Sequence, residues 1–130
     1  MSDAKRVVIV DDSEGFCRTW REFFACRYAD RVRVETYLDP VAALGEMRAD
    51  ISMLLLDLEM PVIDGRKFLE FAVARGVDRR RVIVVSARDA DNLHEIFPKG
   101  TCLAVINKED PPQQEACLML IESLLRNPPG

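Results

Sequence analysis

The chain has 130 residues, of which 48% are hydrophobic and 31% charged, so it can form one globular domain with a buried core. Its net charge of −4 argues against the basic surface that nucleic-acid-binding proteins present. No apolar stretch approaches the ~18–20 residues that a membrane span needs, and Met1–Arg6 shows no signal peptide. We therefore expect a cytoplasmic domain that contacts neither nucleic acid nor a membrane.

The four cysteines, at positions 17, 26, 102 and 117, match no zinc or redox spacing. Cys17 and Cys117 fall within helical apolar patterns, where a free cysteine behaves as a small hydrophobic residue. We expect all four to be reduced thiols in a reducing compartment.

Five segments of the chain predict β-strands: Arg6–Val10, Val32–Tyr37, Met53–Leu58, Val82–Ala87 and Leu103–Asn107. The third and fourth segments are almost continuously apolar, as expected of strands covered on both faces of a sheet. The second alternates polar and apolar residues, which is typical of an edge strand.

Helical periodicity fills the segments between the strands. An apolar stripe marks the first helix: Phe16, Trp20, Phe23 and Phe24. Ser13, just before this stripe, is a favoured N-cap residue. The second helix follows Pro40, which suits a first turn, and the third ends near Gly76. A short, polar fourth helix is predicted over Asp89–Phe97, and a fifth over Ala116–Leu125.

Alternating strands and helices predict an α/β fold with a doubly wound, five-stranded parallel sheet and five helices. The flavodoxin-like order 2-1-3-4-5 places the second strand at an edge and the first and third strands side by side. We assign residues 1–126 to this domain and residues 127–130 to a tail or the start of a linker. The sequence leaves open whether the chain acts alone or is the N-terminal domain of a longer protein.

Acidic residues end two of the central strands. Asp11 and Asp12 follow the first strand and Asp57 ends the third, so the predicted strand order brings all three together at one crevice. Carboxylates held this close repel one another unless a cation intervenes, and oxygen ligands of this kind suit Mg²⁺. Asp11 and Asp12 alone could instead cap the first helix.

A hydroxyl and an ammonium group end the other two strands. Ser86 ends the fourth strand and Lys108 follows the fifth, at the same edge of the sheet as the acids. A hydroxyl, a lysine and a divalent cation around one aspartate suit a phosphoryl group, whose transfer depends on positioning and charge neutralisation. An aspartate can itself be the nucleophile and form an acyl phosphate.

These residues together make the chain resemble the receiver domain of two-component response regulators. The resemblance covers nearly the whole chain and is carried by five elements in order: Asp11-Asp12, Asp57 with Met60-Pro61, Asp64-Gly65, Ser86-Ala87 and Lys108. It implies a signalling switch rather than a classical enzyme.

The resemblance also implies a role for each site residue. Asp57 would accept a phosphoryl group from a sensor histidine kinase or a phosphotransfer protein. Asp11, Asp12, Asp57 and the backbone carbonyl of Glu59 would hold Mg²⁺. Ser86 and Lys108 would contact the phosphoryl oxygens. An output partner, or a second copy in a homodimer, would bind the face made by the fourth helix, the fifth strand and the fifth helix.

Two residues depart from the family pattern. Glu109 follows the lysine where the family usually has a proline with a cis peptide bond. Because a cis bond before another residue costs about 2.5–4 kcal/mol, we predict a trans Lys108–Glu109 bond. Val105 stands where the family usually has an aromatic side chain, and it is too small and too stiff to act as a rotamer switch.

Signalling therefore requires another route. We expect movement of the loop over residues 86–91 and of the helix after it to carry the signal. Glu59 and Arg88, each two residues beyond a site residue, are expected to modulate the lifetime of the phosphoryl group.

Two further functions remain open at the level of sequence. Val105 and Glu109 also suit a pseudo-receiver, a binding module of the same fold that does not use phosphorylation. A Mg²⁺-dependent phosphohydrolase with an aspartyl nucleophile is the weakest reading, because such enzymes usually have a second aspartate where Glu59 stands.

Overall fold

The computed structural model describes residues 4–87, 97–98 and 100–126. Its five strands form one parallel sheet in the order β2-β1-β3-β4-β5. The strands are β1 Lys5–Val10, β2 Val32–Tyr37, β3 Ile51–Asp57, β4 Val82–Ser86 and β5 Ala104–Asn107. The predicted fold class and strand order are confirmed, and the strand ends lie within two residues of the predicted ones.

The described residues contain four α-helices: α1 Glu14–Arg27, α2 Pro40–Leu44, α3 Gly65–Ala74 and α4 Pro111–Arg126. The helix predicted over residues 89–97 lies outside the described residues, except for Phe97, which is in a bend. Ser13 caps α1 by accepting a hydrogen bond from the Phe16 amide, as predicted. No helix in the described ranges is both long enough and apolar enough to cross a membrane.

The sheet separates two apolar clusters because neighbouring side chains on a strand point to opposite faces. One cluster joins Val8, Val10, Leu54 and Leu56 to α2 and α3. The other joins Val7, Ile9, Met53 and Leu55 to α1 and α4. Every residue of β3 is buried. This two-sided cover is the reason that the central strands are continuously apolar, whereas β2, at the edge, is mostly half-buried.

The parallel register aligns the carboxyl ends of the central strands. Val10 lies opposite Leu56, Asp57 opposite Val85, and Ser86 opposite Asn107. The residues at the carboxyl ends of β1, β3, β4 and β5, or directly after them, therefore meet at one edge of the sheet, which is where the candidate functional side chains were expected.

The connection from β3 to α3 passes very close to the end of the strand. The Gly65 amide donates to the Leu58 carbonyl at 3.0 Å. A Cβ atom on Gly65 would lie 2.7 Å from the Asp57 carbonyl oxygen and 2.8 Å from the Leu58 Cα, both backbone atoms. Only glycine fits there, so Gly65 is a packing requirement of the loop that carries Asp57.

Val62, at the tip of the same loop, is strained. Its φ angle is +71°, in the left-handed region that a β-branched residue rarely adopts. Its side chain is 91% exposed, so no burial offsets the strain.

Replacing Gly65 by alanine should lower the free energy of unfolding by about 1–3 kcal/mol, because the clashing neighbours are backbone atoms that cannot move aside. Urea unfolding measures the change. Gly15→Ala is the matched control, since a Cβ atom there meets nothing within 4 Å. Equal stability of the two variants would contradict the close approach.

Replacing Val62 by glycine should raise the free energy of unfolding by up to ~1 kcal/mol, because glycine removes the left-handed strain while making the unfolded chain more flexible. Val41→Gly is the control, at an exposed valine in α2 with ordinary helical geometry, and it should destabilise. Thermal unfolding compares the two. A loss of stability in Val62→Gly would contradict the strain.

Candidate functional site

Three carboxylates meet at the carboxyl edge of the sheet. One oxygen from each of Asp11, Asp12 and Asp57 lies within 4.8 Å of the other two. Asp11 is 1% exposed and Asp57 3% exposed, whereas Asp12 is open to solvent. Three converging carboxylates with one open side fit a hard divalent cation that keeps several water ligands. The convergence that the strand order predicted is therefore present, and the donor set fits Mg²⁺.

Lys108 reaches the same acids from the end of β5. Its Nζ lies 2.8 Å from Asp11 Oδ2 and 3.4 Å from Asp57 Oδ1. Its backbone amide donates to the Ser86 carbonyl at 2.8 Å, which ties the end of β5 to the end of β4. Although burial opposes charging of the ammonium, the hydrogen bond and charge of Asp11 raise the pKa of Lys108 above its usual value. The lysine thus stays charged beside Asp57.

Phe16 was predicted only as part of an apolar helix stripe, and the structure gives it a second contact. The Lys108 Nζ lies 4.4 Å from the centre of its ring, a distance at which a cation is attracted by the face of an aromatic ring. Phe16 stands in the first turn of α1, shortly after Asp11 and Asp12. This position in the sequence could have indicated the contact with Lys108, because it places the ring at the same end of the sheet as the acids.

Burial and the charge of Asp11 raise the pKa of Asp57 to about 7. Lys108 and a hydrogen bond from the Glu59 amide to Asp57 Oδ1, at 3.2 Å, act in the opposite direction. Without a cation, Asp57 is therefore partly protonated near neutral pH. A divalent cation beside it would favour the ionised form, which is the form that can act as a nucleophile.

The Glu59 side chain contacts the end of β4. Its carboxylate accepts hydrogen bonds from Ser86 Oγ, at 2.8 and 3.0 Å, and from the Ala87 amide at 3.0 Å. The sequence pointed to Glu59 as a modulating residue and to its backbone carbonyl as a metal ligand. It gave no sign that the carboxylate would bind the serine expected to contact a phosphoryl group.

The loop after Lys108 is held by side chains. The peptide bonds of the described residues are all trans, which confirms the trans Lys108–Glu109 bond. Asn107 Oδ1 accepts from the Glu109 amide at 2.8 Å, and the Asn107 amide donates to Gln113 Oε1 at 2.7 Å. Glu109 is exposed, and no ion pair in the described part of the chain joins it to Lys108.

Of the two other residues named from the sequence, only Val105 is among the described residues. Val105 is half-buried and packs against the apolar cluster on the α3 face. Arg88 lies outside the described residues. Their modulating roles stay predictions.

All four cysteines are free thiols, as expected, and Cys17 and Cys117 are buried. Burial raises the pKa of both thiols to about 11. They therefore contribute apolar packing and no reactive thiolate at neutral pH.

The sequence model of one protein family matches most of the chain. The family is described as "Response regulator receiver domain", and the match covers residues 7–114. The match spans β1 to the first turn of α4 and so includes all the acids, Ser86 and Lys108. A comparison with curated proteins gives no match.

Solved structures share the fold at low sequence identity. The receiver domain of the Francisella response regulator 1452 has a TM-score of 0.74 and 18% identity, covering 94% of this chain and 97% of its own. Vibrio cholerae chemotaxis protein CheY4 has a TM-score of 0.74 and 18% identity, with coverages of 93% and 98%. A CheY-like receiver domain protein from Methanospirillum hungatei has 0.72 and 19%, with coverages of 93% and 94%. At these identities the likeness shows the fold.

Replacing Asp57 by asparagine should stabilise the metal-free protein at pH 8. An aspartate whose pKa is raised in the folded state lowers stability as pH rises from its unfolded value, about 4, to its folded value. The gain should therefore be near zero at pH 4, grow up to about pH 7 and level off at roughly 1–3 kcal/mol. Urea unfolding across this range measures it. A gain that is constant with pH would contradict the raised pKa.

Proposed function

Because this chain belongs to the response regulator receiver domains, we propose that it is a phosphorylation switch in two-component signalling, with Asp57 as the phosphoacceptor. One observation carries the proposal: the buried Asp57 carboxylate lies close to two further acids and to the ammonium of Lys108. The aspartate and the phosphoryl donor are both negative, so their reaction requires positive charge close by. Lys108 and a cation held by the acids would supply it. The donor would be the phosphohistidine of a sensor histidine kinase or of a phosphotransfer protein.

Each site residue would have its own role in the phosphoryl transfer. An Asp57 oxygen attacks phosphorus, the new O–P bond forms as the P–N bond of phosphohistidine breaks, and the electron pair of that bond returns to the imidazole. Asp11, Asp12, Asp57 and the Glu59 carbonyl would hold Mg²⁺, which supplies charge neutralisation when bound. Hydrolysis of the resulting acyl phosphate returns the Asp57 carboxylate and inorganic phosphate.

Lys108 and Ser86 flank the acceptor on the side of β4 and β5. The ammonium is already within 3.4 Å of an Asp57 oxygen, so it can follow a phosphoryl oxygen attached there. The Ser86 hydroxyl and the Ala87 amide offer two hydrogen-bond donors at the end of the neighbouring strand. These groups bind the phosphoryl oxygens and thereby couple Asp57 to the loop that begins at Ala87.

The output surface that we propose includes β5 and α4. Leu103, just before β5, is 37% exposed, and Leu118 and Met119 on α4 are 38% and 73% exposed. These apolar side chains would bind an output partner or a second copy of the chain, together with the helix expected over residues 89–97. The free cysteines suit the reducing compartment in which such a switch would act, the cytoplasm.

A pseudo-receiver is the second candidate, and one observation favours it. The carboxylate of Glu59 already holds the Ser86 hydroxyl and the Ala87 amide. A domain whose phosphoryl-binding donors are permanently filled would bind partners without being phosphorylated.

Intact mass spectrometry after incubation with acetyl phosphate and Mg²⁺ separates these functions. The wild-type chain should gain one phosphoryl group that is lost on standing, because an acyl phosphate hydrolyses. The gain should be absent from Asp57→Asn and absent when Mg²⁺ is chelated. No gain in the wild type would overturn the phosphorylation switch and favour the pseudo-receiver, and a gain in Asp57→Asn would assign the acceptor elsewhere.

A further inference from the structure

Two hydrogen-bond donors at the end of β4 converge on one carboxylate. Ser86 Oγ lies 2.8 and 3.0 Å from the two Glu59 oxygens, and the Ala87 amide lies 3.0 Å from one of them. A carboxylate only accepts hydrogen bonds, so the serine must direct its hydroxyl hydrogen at Glu59. Ser86 itself is fully buried. The donors thus form a small anion-binding cradle, and an anionic side chain of the chain itself fills it.

The cradle lies next to Asp57. Asp57 is the register partner of Val85, and the Leu58 amide donates to the Val85 carbonyl at 2.9 Å. Ser86 is therefore one residue beyond the point at which β4 meets Asp57. The Lys108 amide holds the Ser86 carbonyl, while the Lys108 ammonium reaches Asp57. A phosphoryl group on Asp57 would lie between the lysine and this cradle.

Glu59 and a phosphoryl group cannot both use the cradle. The serine hydroxyl and the backbone amide have one hydrogen each, and both hydrogens are directed at Glu59. A phosphoryl group carries nearly two negative charges at neutral pH, and like charges at this separation repel. Glu59 is only two residues after Asp57, and its amide donates to the Asp57 side chain. The Glu59 carboxylate therefore stays close to the site when it is displaced.

We propose that Glu59 is an internal competitor of the phosphoryl group. In the unmodified protein its carboxylate takes the place of the phosphoryl oxygens on Ser86 and Ala87, and phosphorylation must displace it from both donors. The inference rests on the proposed function, and it assigns a specific action to the residue. Glu59 weakens the binding of a phosphoryl group to the switch and opposes the change in the loop at Ala87.

Displacement of Glu59 also offers a route for the signal that needs no aromatic residue on β5. When the carboxylate leaves, the end of β4 exchanges a partner on the β3–α3 loop for a partner on Asp57. The contact between the two loops, from Glu59 to Ala87, is then broken. The half-buried Val105 takes no part in this exchange.

Beryllofluoride is the probe, because it mimics a phosphoryl group on an aspartate and does not hydrolyse. Its affinity is measured by isothermal titration calorimetry at saturating Mg²⁺, and the Mg²⁺ affinity of each variant is measured separately. Glu59→Ala should bind beryllofluoride about tenfold more tightly than the wild type, the factor expected when two donors no longer have to leave a charged partner. Glu59→Gln, close in shape but neutral, should show a smaller gain.

Two controls test whether the gain comes from the cradle. Glu22→Ala removes an exposed acid from α1 and changes the net charge equally, and it should leave the affinity unchanged. In a Ser86→Ala background the gain from Glu59→Ala should shrink at least threefold. In the Mg²⁺-free, unmodified protein, the amide resonance of Ala87 should shift in Glu59→Ala because its acceptor is gone.

The outcomes separate this inference from the proposed function. If the wild type is phosphorylated and binds beryllofluoride but Glu59→Ala and Glu59→Gln bind it no more tightly, Glu59 is not a competitor while the switch stands. A gain that is equally large without Ser86 would also overturn the inference, because general charge then explains it. If the wild type neither gains a phosphoryl group nor binds beryllofluoride, both proposals fall.

Discussion

Repulsion between the buried carboxylates of Asp11 and Asp57 is the constraint on which the rest of the site depends. Both side chains are almost fully buried, and the pairing of β1 with β3 fixes the two residues next to each other. Lys108 offsets the repulsion by reaching both acids, and it is itself held by the ring of Phe16 and by its backbone contact with Ser86. Burial, together with the repulsion from Asp11 that remains, raises the pKa of Asp57. The excess of negative charge gives the site affinity for a cation. The proposed phosphoryl transfer depends on that cation.

A fourth carboxylate, that of Glu59, lies at the same edge of the sheet and is held by hydrogen bonds. The Glu59 carboxylate accepts hydrogen bonds from the Ser86 hydroxyl and the Ala87 amide, so both donors already have a partner in the unmodified site. In the switch that we propose, the two donors would hold an anion in both states, first Glu59 and then the phosphoryl group. The free-energy difference between the states would then depend on which anion binds the donors better, and the side chain at position 59 would adjust it.

The sequence was sufficient for the features that depend on strand ends and periodicity. The order of the strands, the meeting of Asp11, Asp12 and Asp57, and the cap at Ser13 follow from rules that act along one strand or one turn. Contacts between side chains of different loops were not predictable in this way. Glu59 on Ser86 and Phe16 under Lys108 depend on rotamers and on a few ångströms of loop path, which spacing along the chain does not encode. The need for glycine at position 65 belongs with them, because a Cβ atom there would clash with the backbone of Asp57 and Leu58 at the end of β3, a contact that depends on the path of the loop between them.

The loop after β5 shows how a missing motif residue can be replaced. Where the family usually has a proline, Asn107 binds the amide of Glu109 and is bound in turn by Gln113 from the first turn of α4. Hydrogen bonds from side chains thus direct Lys108 to the acids without a ring in the backbone. Each of the Asn107 and Gln113 side chains makes one of these hydrogen bonds, so both positions should be retained among descendants of this sequence. Glu109 takes part only through its backbone amide, so its side chain is free to vary.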